Sequence, residues 1–512
     1  MPTFNLITEP WIPVREGAAH KLVSLEAALL EAHRYNRIED PSPLVTVSLH
    51  RLLLAVLHRA LAGPEDAEQA AEWFEEGFDA NRVRAYLERY RHRFDLFHPE
   101  APFYQVADFG PERSSRSWTV LAPELNSDNN KVLFDHTITS RPRPLLPAEA
   151  ARLLVSNQTF AISAGKSVLC HTATAPVATA ALALVLGDNL HQTLCLNLVP
   201  YSEREHAQDA ATWEQPPLKV TDMADCEAAR GSAKGIVHRY TWLARSVRLH
   251  PESEGGQTVV RWIAYASGIR YEEAAVRPDP MVAFRRDPKD PTKVYPLGFR
   301  EGRALWRDYA SLLPRPGGHS LGVADHARNL CSALSGTFGE RKLPVFVAGF
   351  ANDQAKIELW RGEVYQLPEA VLSDREVWRF VESNLEKAEA MGQRLSSAAR
   401  ALAKELLTLG DRQPHRDDIG RLAQSFPHHT AYWSVLEQRF GEWLEGLKAD
   451  FDEAQLTQRW QEALEQAARR AWQLTRLAAG DDARALRAIY KSEGILFSHI
   501  YQQKEVTGAT GR

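Results

Sequence analysis

The first chemistry that residue types suggest in this chain is phosphate binding, at Phe160-Ala161-Ile162-Ser163-Ala164-Gly165-Lys166-Ser167. A P-loop ends in Gly-Lys-Ser because backbone amides cradle the phosphates while the lysine reaches the terminal ones. That pattern also needs a glycine five residues before Gly165, where Phe160 stands, and a strand leading into the loop. Residues 148–157 read instead as a helix, and no acidic strand supplies a metal partner. A short cationic loop is the better reading, and nucleotide hydrolysis the unlikely rival.

Other constellations fall short of catalysis. His415-Arg416-Asp417-Asp418 has the order of a kinase catalytic loop, with no Gly-rich loop or D-F-G to accompany it, and is most simply a solvated helix start. Phe134-Asp135-His136-Thr137 and the pair His428-His429 place histidine where a metal or acid/base pair could be imagined. Neither has an H-x-x-x-H spacing or a carboxylate cluster nearby. Cys170, Cys195, Cys226 and Cys331 lie far apart without a C-x-x-C, so structural zinc is not indicated and a reducing compartment is. No G-x-S-x-G elbow is present. The expectation is a protein with no catalytic residues, metal or cofactor.

Two features point to nucleic acid. From Lys234 to Arg303 there are 13 Lys/Arg against 8 Asp/Glu, in a chain whose formal net charge is −5. Tyr240, Trp242, Trp262, Tyr265, Tyr271, Phe284, Tyr295 and Phe299 interleave with these charges. Cations bind phosphates and aromatic rings stack on splayed bases, although a sheet with a charged outer face and an aromatic core has the same composition. The second feature is Asn352-Asp353-Gln354-Ala355-Lys356, set between an apolar strand at 345–347 and another at 357–360. It reads as a hairpin tip. Asn and Gln present donors and acceptors to base edges, and a narrow tip can wedge into a base stack; Asn-Asp is also ordinary turn chemistry.

The elements that must position these residues fall into two regimes. The fold class expected is α+β, with a large mixed N-terminal α/β domain over 1–365 and a four-helix bundle over 373–503. In the first part, 4–14 reads as an opening strand, 43–62, 67–94, 148–157 and 177–186 as helices, and 235–249, 258–266 and 343–350 as strands. Segments 102–118, 131–147, 201–235 and 276–296 read as long loops, which in compact domains are commonly functional. In the second part Ser373 with Glu376 suggests a capping box, and helices are expected over 373–410, 429–447, 452–479 and 482–502, with Gly480 as a C-cap. The length of 512 residues allows such a division. Mild acidity argues against a free-standing DNA binder but suits a subunit whose partners neutralise most phosphates. MPTFNLITEPWIPV has neither the basic nor the apolar part of a signal peptide, and the apolar run at 173–186 is too short to span a bilayer, so a cytoplasmic protein with no membrane association is expected.

FNLITEPWIPV, VLFDHTITSRPRPLLPAEAARLL, the Gly-Lys-Ser loop, YTWLARSVRL, RPDPMVAFRRD and GFANDQAKIELWRGE, followed by a helical C-terminal third, occur in the order of one family. Over essentially its whole length the chain resembles the CasA family, the large subunit of the type I-E CRISPR surveillance complex Cascade. The resemblance implies a non-catalytic subunit that recognises the protospacer-adjacent motif in double-stranded DNA from the minor groove and starts duplex opening. The guide RNA (crRNA) would then read the target by base pairing, and a separate helicase–nuclease would be recruited in antiviral defence. The family's wedge matches Asn352, Asp353, Gln354, Ala355 and Lys356. Its glycine-rich groove loop matches the segment containing Ser163, Ala164, Gly165 and Lys166, where most of the glycines are replaced. Its basic finger matches Arg270. The loop that docks on the complex near the crRNA 5′ handle matches Lys131 to Pro147, with Phe134, His136, Arg141 and Arg143. A scaffold subunit that does not read DNA is the rival within the same family.

Overall fold

The computed structural model describes residues 2–122, 141–162, 167–169, 174–223, 229–272, 278–287, 290, 293–313, 320–334, 342–353, 356–368, 370–371, 374–408, 413–448 and 450–509. The fold is α+β, and the chain divides into two compact units. The first comprises Met1–Arg303 and Ser311–Leu367, the second Ala304–Ala310 and Pro368–Arg512.

The first unit is organised around the helix Pro43–Leu61, which starts with proline in its first turn, where the missing N–H costs nothing. Its sequence is apolar nearly all round, as a helix enclosed on every side must be. By length and composition it could cross a membrane, yet 83% of that window is buried inside the protein. Helices Ala80–Arg89 and Pro147–Phe160 pack on it, as do the short helix Ile236–Tyr240 and the strands Leu343–Asp353 and Lys356–Leu367.

That core helix carries a charge. Arg51 makes a paired contact with Asp279, at 2.8 Å and 3.1 Å, with the two side chains 1% and 5% exposed. The guanidinium lies 4.1 Å from the centre of the Tyr240 ring, and Asp279 also accepts from the Met281 amide at 3.0 Å. Burial pushes the Asp279 carboxyl up, but Arg51 outweighs it and holds the group below the usual carboxylate range. His50, one residue before Arg51, is buried and its pKa falls from 6.5 to about 4.

Two sheets matter for the site. In one, Leu182–Val185, Leu343–Asp353 and Lys356–Leu367 lie side by side with Leu343–Asp353 in the middle, all antiparallel. In the other, Arg245–Glu254 pairs with Gln257–Ser267, and Arg116–Ser117 adds to the far side.

Several expectations are corrected. The stretch 177–186 is not a helix: it contains the strand Leu182–Val185, every residue of which is buried. A short apolar run buried on both faces carries no period to tell strand from helix. The single helix at 67–94 is two, Ala67–Glu76 and Ala80–Arg89, interrupted at Gly77 with φ +93°. The strand at 235–249 begins as the helix Ile236–Tyr240, because the Asp209 carboxylate accepts from the Val237 and His238 amides and caps it. The opening strand starts only at Ile12, after a turn closed by Asn5.

In the second unit the helix Arg375–Leu407 is capped by Asp374, whose carboxylate accepts from the Glu376 amide at 2.7 Å; Ser373 lies outside the described residues. His428–Leu444, Glu453–Ala479 and Ala483–Ala509 complete four long helices. A short one, Arg416–Ser425, begins where His415-Arg416-Asp417-Asp418 reads as a solvated helix start; His415 caps it, accepting from the Asp417 amide. Gly480, at φ +99°, follows the third long helix. The segment Ala304–Ala310 belongs to this unit through Trp306, which stacks 5.0 Å from Phe440, and through Arg307, which pairs with Glu389 at 2.8 Å and lies 3.5 Å over Trp433.

Removing one partner of a buried ion pair leaves the other charge stranded, so Arg51→Ala is expected to destabilise the first unit by about 3–5 kcal/mol in chemical denaturation. The pH signature separates the neighbours. A His50 pKa depressed to about 4 gives stability that is complete above 6.5 and lost as pH falls toward 4. Asp279, also depressed, loses its contribution only below its ordinary 3.8. In thermal melts His50→Leu should flatten the pH dependence between 6.5 and 4, and an unchanged slope would show that His50 is not responsible for it.

Candidate nucleic-acid interface

The helix Pro147–Phe160 ends in a polar quartet, Ser156-Asn157-Gln158-Thr159, that is buried rather than solvated. Buried amides must find partners. The Asn157 amide donates to the carbonyls of Val120 and Leu121 at 3.2 Å. The Gln158 amide donates to the Arg245 carbonyl at 2.9 Å and accepts from the Arg245 N–H at 2.9 Å, fixing the helix end to the start of the strand Arg245–Glu254. The Arg245 guanidinium donates to Tyr265 Oη at 3.0 Å and to the carbonyl of Ile162, and Tyr265 Oη donates to Asn157 Oδ1 at 3.3 Å. This network was missed in the sequence, where the signal was a run of Ser, Asn, Gln and Thr inside an apolar helix.

Its effect is to fix the backbone where the cationic loop begins. Ala161 accepts at its carbonyl from Ala175 at 2.8 Å, and Ser167 Oγ accepts from the Ser267 amide at 3.0 Å. Ala161, Ala175, Ala178, Trp242 and Ala244 form a small apolar cluster against which Ile162, Ile269 and Tyr271 pack. Ser163, Ala164, Gly165 and Lys166 lie outside the described residues. A helix, not a strand, leads into this loop, which removes the geometry a P-loop requires.

Arg270 stands beside the same cluster. The strand Arg270–Tyr271 pairs in parallel with Arg230–Gly231, the Tyr271 ring meets Trp242 edge-on at 5.3 Å, and the preceding Arg270 is exposed.

The hairpin is longer than the sequence suggests. Leu343–Asp353 and Lys356–Leu367 stay paired as far as Asp353 and Lys356, and the two positions between them, 354 and 355, lie outside the described residues. Asn352 is half-buried next to a register shift. At Gly349 a β-carbon would sit 2.9 Å from the Ala180 carbonyl, so only glycine lets the hairpin pass so close. Phe350 is buried with its ring centre 6.0 Å from that of Phe160. The start of the cationic loop, the Arg270 strand and the hairpin stalk therefore converge on Phe160 to Ile162, although the sequence separates them widely.

Of the expected docking residues, Phe134 and His136 lie outside the described residues and Arg141 is exposed. Arg143 is engaged: it pairs with Glu149 and lies 4.8 Å over the Trp118 ring, while Trp118 Nε1 donates to its carbonyl at 2.9 Å. The basic stretch divides in the same way. Arg239 and Arg245 are buried, Arg261 pairs with Glu252 and Glu254, and Arg270, Arg286, Lys293 and Arg300 reach the surface. Tyr240, Trp242 and Phe299 are core residues, and Tyr295 is exposed with Arg285 5.7 Å from its ring centre. Much of the cation and aromatic excess is thus structural.

Gln158→Leu, close in volume, would leave the Arg245 N–H and carbonyl without their side-chain partner. A loss of about 2–4 kcal/mol is expected in denaturant unfolding, with faster hydrogen exchange at the Arg245 amide. Wild-type exchange at that amide would refute the network's role.

Comparison with known proteins gives one family. The model for CRISPR-associated protein Cse1 matches residues 5–471. CRISPR-associated protein CasA/Cse1 of Thermus thermophilus is 42% identical over 503 residues, covering 96% of each chain. The crystal structure of Thermus thermophilus CasA superposes with a TM-score of 0.85 at 40% identity, over 97% of this chain and 99% of that one. A chain of a CRISPR RNA-guided surveillance complex shares the fold, with a TM-score of 0.72 at 22% identity over 97% and 100% of the two chains.

Proposed function

The chain belongs to the Cse1 (CasA) family, large subunits of CRISPR surveillance complexes of type I-E, and from that premise we propose that it reads a short motif in double-stranded DNA and begins to open the duplex. The observation that carries this reading is the convergence at Phe160 to Ile162. The start of a cationic loop, the strand of an exposed arginine and the stalk of the hairpin that carries Asn352 are anchored to one small region.

Each element has a task that its chemistry suits. Backbone and Lys166 of the loop 163–166 would approach the groove, with Arg270 beside them, since a narrow minor groove concentrates negative potential that attracts arginine. The tip Asn352-Asp353-Gln354-Ala355-Lys356 would enter the base stack next to the motif. Unstacking costs about a few kcal/mol per step, offset by phosphate contacts and by the RNA–DNA hybrid that follows. The segment from Lys131 to Pro147 would dock near the crRNA 5′ handle through Phe134, His136 and Arg141, with Arg143 shaping its end. Other Cascade subunits are the chain's partners; crRNA, target DNA and a separate helicase–nuclease complete the proposed set. The subunit works without catalysing a reaction, in the cytoplasm, and its C-terminal helices would guide the displaced strand.

The test is duplex binding by the assembled complex, with and without this chain, across a set of flanking trinucleotides at fixed salt. Tight binding that depends on both the chain and the trinucleotide is expected; affinity indifferent to the trinucleotide would make the protein a scaffold. Replacing Gln354 and Asn352 together by Ala should slow duplex opening, read by permanganate reactivity of thymines, by at least about tenfold, with initial docking changed far less. Equal loss of both steps would remove the wedge assignment.

A further inference from the structure

Of the thirteen tryptophans in the chain, Trp360 is the one that is exposed, at 41%. It lies in the hairpin's second strand, at the edge of its sheet, in register with Phe350. Opposed residues of an antiparallel pair share a face, so the indole stands beside the buried Phe350 ring, which meets Phe160 at the start of the cationic loop. Ring contact joins Phe160 to Phe350 and strand register joins Phe350 to Trp360, so the three aromatics lead from the core to the open edge of the hairpin. On the side away from the turn the strand leaves it uncovered: Gly362, the next residue on that face, has no side chain, and a β-carbon there would meet Phe346 and Pro43 at 2.8 Å. Among the described residues no hydrogen bond or ring contact engages the indole. Between Trp360 and the turn, the register shift at Ala351/Asn352 is the kind of bulge that bends a strand end and re-aims its side chains.

We propose that Trp360 is a stacking platform for one unpaired base of the DNA released as the duplex opens. The inference rests on reading the hairpin as the duplex-opening element. A single π-face, isolated by Gly362 from the next exposed apolar side chain, Val364, suits one planar base. A protein partner of any strength would call for a contiguous apolar patch.

The experiment uses the assembled complex with the full chain carrying Trp360→Ala, Trp360→Phe or Trp360→Leu. The ligand is a target duplex with a mismatched bubble beside the motif and 2-aminopurine inside the bubble. Trp360→Ala should weaken binding to this pre-opened DNA by on the order of tenfold and abolish the quenching of 2-aminopurine. Phe should keep most of both, and Leu should behave as Ala. A Leu variant equal to wild type would show that the residue supplies apolar area to a protein neighbour and would overturn the proposal, as would an Ala variant that binds the bubble normally. The Phe variant keeps the test valid if Ala lowers the melting temperature. Motif dependence of the wild-type complex on fully paired DNA reports separately on the underlying reading, because bubble binding does not require the hairpin to open anything.

Discussion

The architecture of the N-terminal unit turns on a charge in the middle of its most apolar helix. Arg51 and Asp279 stand 228 positions apart, and nearly all their surface is lost to the interior. A buried pair of this kind is seldom the most stable solution, because hydrophobic residues of similar volume would do as well, but it tolerates only one arrangement. It pins the segment 278–287 against the core helix, with Tyr240 over the guanidinium and the Met281 amide on the carboxylate. From there Val282 bridges to Leu182, and the Met281 carbonyl accepts from Ala183, so the strand beside the hairpin in its sheet is tied to the same pair. One electrostatic contact thereby fixes the register of elements drawn from across the sequence.

Long elements with a clear period were legible. The helices of the C-terminal unit follow from apolar spacing, and Asp374 and Asp452 cap two of them as short polar side chains do. What could not be read were segments whose environment decides their state. Leu182–Val185 is apolar on both sides because a sheet and helices enclose it, and no local signal marks that. Ile236–Tyr240 is helical because Asp209, far upstream, satisfies its first amides. The place of Ala304–Ala310 among the C-terminal helices depends on Trp306 and Arg307 meeting side chains more than a hundred positions later.

The candidate site divides along similar lines. The hairpin was visible from its turn residues and flanking strands. The convergence at Phe160 to Ile162 was not, since it is built by tertiary hydrogen bonds from Arg245 and Gln158. Nor could composition tell working cations from structural ones. Arg239, Arg245 and Arg51 look no different in sequence from Arg270, and only burial separates them.

The membership of Ala304–Ala310 in the second unit also has a temporal side. On the ribosome, Trp306 and Tyr309 emerge long before Phe440, the ring that both of them meet, has been made. At usual elongation rates that interval is roughly ten seconds, far longer than a helix needs to form. Throughout it a nascent chain carries bare aromatic side chains on a short tether, a natural client for a holdase chaperone. A gene cut at the boundary near Leu367 would make that transient exposure permanent, so the N-terminal unit expressed alone would inherit an adhesive segment that belongs to its missing half.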